Sequence, residues 1–180
     1  MTEFEFLAVL ISILFGLGLA RVFNGLFQYA YRRQLTEEQL LYSGFVFFLQ
    51  VLDWWLFFGW RDHQGWTFGL YLLLVLWALT YYAMAVALYP PDHAAKPTFA
   101  THHRWVLWSL IAAAVVDIAQ QAAAGSIFEP WYYLPFVGHY VMLALVAIRW
   151  DNPHARRAIA WWLFLSIVVW SLVVRDYLPK

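Results

Sequence analysis

The chain contains no cysteine, has only two lysines, and is poor in charge of either sign: 12% of its 180 residues are Asp, Glu, Lys or Arg. Without cysteine there are no disulfides, thiolate metal ligands or cysteine nucleophiles, while the redox compartment stays open. Eleven basic residues balance 11 acidic ones, and no basic run could track a phosphate backbone. Nucleic acid is therefore not an expected partner. Lys96 and Lys180 fall outside the long apolar segments, which excludes a retinal Schiff base. Paired histidines for a transmembrane haem, an HExxH zinc motif and a GxSxG nucleophile elbow are also missing. No cofactor is expected, and no reaction motif marks an enzyme. Soluble domains carry roughly 25% charged residues. So few charges cannot clothe a chain that is 64% hydrophobic.

What fills the chain instead is apolar bulk, including 12 Trp, 11 Tyr and 15 Phe. A spanning helix needs about 20 mainly apolar residues, because a rise of 1.5 Å per residue must cross roughly 30 Å of hydrocarbon. Six segments qualify, at approximately 4–28, 40–60, 67–89, 104–124, 131–149 and 158–176, each bounded by charge, Pro or Gly. Membrane strands would alternate apolar and polar residues, whereas the run from Tyr71 to Trp77 is apolar on both faces. The fold expected is all-α, a polytopic membrane protein with six transmembrane helices in one bundle spanning 1–180. Met1-Thr-Glu-Phe-Glu lacks the basic region of a secretory signal, so the first segment is expected to stay as helix one.

Lys and Arg in short loops set orientation. Arg32, Arg33, Lys96, Arg104, Arg149, Arg156 and Arg157 fall on the side of the odd connections, against Arg61, Arg175 and Lys180 on the other. This predicts both termini outside and, without an organelle-targeting signal, a bacterial plasma membrane. Trp60, Trp66, Trp131 and Trp170 are then expected as anchors at the outer interface, and Trp105, Trp108, Trp150, Trp161 and Trp162 at the inner one.

Charged groups at membrane depth cost at least about 2.5–3.5 kcal/mol, so each requires a partner, a hydrated cavity or an interface. Asp53, Asp117 and His139 stand out. The helical rise places all three near one layer, with Asp53 about 4–5 Å beyond the midplane. Gln50 and Asp53 share one helical face, as do Asp117, Gln120 and Gln121. Such a layer suits a proton or cation pathway. The structural alternative is that each Asp accepts from a Trp indole or Gln amide and merely fixes packing. Trp54-Trp55 beside Asp53 makes that concrete.

Helix one carries a second stripe, Gly18, Arg21, Gly25 and Gln28, with Asn24 beside it. The glycines suit close helix approach. Arg21 lies about 9 Å inward of the helix midpoint, shallow enough to snorkel. Arg21, Asn24 and Gln28 are candidate contacts for an anion or lipid headgroup. His93, His102, His103 and His154 are expected on interfacial loops, where they titrate rather than bind metal, and Arg61-Asp62-His63 reads as a solvated cap.

The function expected is a channel or transporter for a small ion, a proton or inorganic cation, with membrane lipid as partner and homo-oligomerisation able to complete a pathway. The alternative is a non-catalytic assembly, scaffold or sensor protein whose polar residues specify helix packing.

Overall fold

The computed structural model describes residues 2–90, 99–150 and 152–174. His93, Lys96, Arg175 and Lys180 lie outside that set. Six helices follow in order: α1 Glu3–Tyr31, α2 Glu37–Phe57, α3 Phe68–Leu88, α4 Phe99–Ala123, α5 Tyr133–Arg149 and α6 Pro153–Val169. A 3₁₀ turn, Phe58–Asp62, extends α2, and a π turn, Trp170–Val174, extends α6.

Side-chain caps set the helix starts. Thr2 accepts from the Glu5 N–H at 3.1 Å while the Glu5 carboxylate accepts from the Thr2 N–H at 2.8 Å. Thr36 and Thr67 accept from Gln39 and Leu70 N–H groups, both at 3.2 Å. Asn152 accepts from His154, with Pro153 at the first helical position. Such caps satisfy backbone donors that the first turn leaves unpaired. They bring polar first turns into α2 and α6, which begin several residues before the apolar pattern does, as α4 also does. His102 and His103 consequently sit on α4, and His154 on α6, rather than on loops.

Five helices, α1 to α4 and α6 with the first residues of its π turn, are long and apolar enough to cross a membrane. The chain is thus a membrane protein with transmembrane helices. The fifth expected span is shorter than the others. α5 has 17 residues, about 25 Å at 1.5 Å per residue. Its start is delayed because 124–132 is spent on turns, one requiring Gly125 at φ 75°.

The helices close a ring in the order α1, α3, α4, α5, α6, α2, with α2 also touching α3. One continuous face of α1 is buried: Leu7, Ile11, Phe15, Gly18, Val22 and Gly25. A Cβ on Gly25 would lie 2.1 Å from the Tyr89 ring, and one on Gly18 would lie 2.9 Å from the Gln50 amide. Both glycines therefore permit the close approach expected of them. Val9, Ile13, Leu72, Leu76, Met142 and Leu165 face outwards, the arrangement a hydrocarbon surround permits. At the end away from the N-terminus, α2 and α6 are tied by Arg156–Glu38 and Arg157–Glu37 ion pairs, each at 3.4 Å. The Trp161 indole adds a 3.1 Å bond to Glu37.

Candidate functional site

A cavity of about 530 Å³ opens at the end of the bundle that carries the N-terminus. α2, α3, α4, α5, both short turns and the 124–132 connection contribute its walls. Asp53, Asp117, Gln120 and Gln121 all line it. The i, i+3, i+4 spacing of the last three puts them on one face of α4.

Each carboxylate is held by a tyrosine from another helix. Tyr81 of α3 donates its hydroxyl to Asp53. Tyr133 at the start of α5 donates to Asp117 at 2.7 Å, and the Gln120 amide donates to the other oxygen of the same carboxylate at 2.7 Å. Gln121 accepts from Ser126 at 2.7 Å, tying the end of α4 to the loop beyond it. A hydrogen bond to a charged group contributes about 1.5–3 kcal/mol, comparable with the insertion cost of an intramembrane carboxylate. These donors therefore make the two acids tolerable where they stand. An ionised carboxylate offers about four lone-pair sites, so one donor on Asp53 and two on Asp117 leave acceptor capacity in both.

One buried polar atom on the cavity wall has no protein partner: Gln120 is 1% exposed with Oε1 unbonded. Among the described lining residues the charged ones are Asp53, Asp62, Asp117 and Glu129, with no Lys or Arg. Asp62, near the mouth, pairs with the exposed Arg61 at 3.1 Å, and Arg61 also stands 4.7 Å over the Phe58 ring.

The structure does not bring the whole expected layer together. Gln50, fully buried, donates to the Tyr81 carbonyl at 3.1 Å and packs on Gly18. It joins α1, α2 and α3 outside the cavity. His139 lies on the flank of α5, its Nδ1 at 2.5 Å from the Phe136 carbonyl and its ring 4.0 Å from that of Tyr140. The cavity face of α5 is Tyr133, Phe136 and Val137, and His139 is turned roughly a third of a turn away. Trp54 does not bond Asp53; it donates to Ser12 at 3.1 Å.

The tyrosines are what the sequence reading missed. Tyr81 and Trp77 lie near the centre of α3, where no interface is within reach of a belt aromatic. That depth was the available signal. Trp60 and Trp170 were expected as lipid anchors, but both line the cavity. Trp131 and Trp150 remain largely exposed, as anchors would.

The second stripe also separates. Arg21 donates to the Tyr89 carbonyl just past α3, while Gln39 donates to the Leu88 carbonyl at 3.2 Å and Ser43 bonds the Tyr89 hydroxyl at 2.7 Å. Arg21 and Gln39 thus satisfy carbonyls that the end of a helix leaves open, and a cation there complements the helix dipole. Asn24 and Gln28 are exposed. Among the described residues no group of three or more His, Asp or Glu is placed to hold a metal ion.

No family model, no curated protein and no solved structure matched the chain when it was compared with each.

Proposed function

We propose that this is a bacterial plasma-membrane protein, with both termini outside, that binds a small cation at Asp53 and Asp117 and carries it across. The observation that supports this reading is the meeting of acids from α2 and α4 in one open cavity whose described walls hold no Lys or Arg. Two carboxylates in a medium of low dielectric repel each other, and a cation between them relieves the repulsion. Tyr81 and Tyr133 keep the carboxylates oriented, Gln120 shares a bond with Asp117, and Gln50 steadies Tyr81 through its carbonyl. The cavity is the outer half of the route, since the basic loops at the other end fit the cytoplasmic side. Membrane lipid surrounds the bundle, and a homo-oligomer is the means of widening a route too narrow in one copy.

The assembly reading draws on different residues. Gln50 donates to a backbone carbonyl of α3 and Arg21 to the one just past its end, which is packing work. Flux of protons and of a monovalent cation into proteoliposomes separates the two. Cation transport requires flux in wild type and at least a tenfold loss in Asp53→Asn and in Asp117→Asn. Folded wild type without flux of either kind would favour the assembly protein, and equal flux in all three proteins would remove the two aspartates from the pathway.

A further inference from the structure

We infer that the cation accepted by this cavity is organic: a primary ammonium group carried on an aromatic or apolar body. The inference rests on the cation reading above and names the class of cation. Size comes first. At about 530 Å³ the cavity falls within the range of small-molecule sites, roughly 300–1,000 Å³. A hard metal ion instead needs several oxygen ligands drawn in to about 2.0–2.6 Å, and the described residues gather no such acidic or histidine cluster.

The walls supply the second argument. Phe136 and Trp170 stack at 4.1 Å, and Tyr132 meets Trp170 edge-on at 5.4 Å. Trp60 and Trp77 add indole surface to the same cavity. A bare inorganic ion has no use for so much apolar wall. An organic ammonium uses all of it, burying its body against the rings while its charge is attracted by their faces.

Hydrogen bonding then selects the head group. An ammonium presents three donors and no acceptor, as the lysine side chain does. Facing it are the remaining lone pairs of Asp53 and Asp117 and the Oε1 of Gln120, buried on the cavity wall without a protein partner. A primary alkylamine resembles lysine, whose ordinary pKa is near 10.4, and so enters charged at neutral pH. A carboxylate of the same shape would meet Asp53, Asp117 and Glu129 with no Lys or Arg among the described walls.

The test is calorimetric titration of the full chain in lipid nanodiscs with 2-phenylethylamine and its neutral near-isostere 2-phenylethanol. Both probes meet the same wild-type protein, so the comparison does not depend on any variant folding. Saturable amine binding, at least tenfold tighter than the alcohol and weakened at least tenfold by Asp117→Asn, is the expected result. Phe136→Leu should weaken it at least threefold. Failure of the amine to bind, or equal affinity for the alcohol, overturns the organic assignment. Should inorganic flux then still depend on Asp53 and Asp117, the cation reading survives alone. Flux indifferent to both aspartates would remove both conclusions.

Discussion

Tyr81 and Tyr133 do the same job with different support, and the difference can be measured. Tyr81 is the described donor to Asp53, whereas Asp117 keeps the Gln120 amide when Tyr133 is truncated. Tyr81→Phe should therefore destabilise the protein by about 1–3 kcal/mol, and Tyr133→Phe by clearly less. Thermal unfolding in detergent gives the order, and a larger loss for Tyr133→Phe would contradict the assignment of donors. At this scale the sequence was readable where a residue breaks the rule of its surroundings. Asp53 and Asp117 interrupt long apolar runs, so their cost announces them. Tyrosine carries its polarity on an aromatic body and is at home at an interface, so its role as donor stayed concealed. His139 was equally conspicuous, but depth along a helix is not direction around it, and its ring turns to Tyr140 instead of the cavity.

Helix by helix, two ties between α2 and α6 differ in burial. The side chains of Arg156 and Glu38 are 12% and 14% exposed, against 57% and 48% for Arg157 and Glu37. Breaking a well-buried pair strands a charge and costs up to about 3–5 kcal/mol, whereas exposed pairs contribute about 0–1 kcal/mol. Arg156→Gln should thus lower the unfolding midpoint much more than Arg157→Gln does. Exchanging the charges, Glu38→Arg with Arg156→Glu, should recover most of the loss. The α1–α3 contact gives a sharper contrast. Gly25→Ala drives a Cβ into the Tyr89 ring and should cost about 1–3 kcal/mol as overpacking does. Gly16→Ala meets nothing within 4 Å and should be neutral or stabilising, since alanine favours helix over glycine by about 1 kcal/mol. Helix number was legible because apolar length is an unambiguous demand of the bilayer. Helix ends were not: Thr36 and Asn152 cap polar first turns, as hydropathy cannot register, and the turns after Gly125 shorten α5.

For the whole molecule, the ring order of the helices had no reading in the sequence. A helix in lipid is apolar on its outer face as well as its inner one, so Leu74 in the core and Leu76 at the surface look alike. Only the polar residues betray a direction: Asp53, Asp117, Gln120 and Gln121 turn to the cavity at one end, while Arg21, Gln39 and Ser43 gather around the end of α3 at the other. The basic-residue count is the ground for the proposal that the cavity end faces outwards. The absence of cysteine, uninformative about location, makes the central claim accessible to experiment, because any thiol introduced is the only one in the chain. Ala124→Cys places it on the cavity wall. In sealed vesicles with the N-terminal end outwards, its modification by impermeant cationic and anionic thiosulfonate reagents should be compared, each normalised to its rate with a free thiol. A cation-accepting cavity predicts that the cationic reagent reacts at least about tenfold faster, as charge-focused access allows, and that Asp53→Asn with Asp117→Asn abolishes the preference. Equal normalised rates in the protein with both aspartates intact, or faster reaction of the anionic reagent, would contradict it.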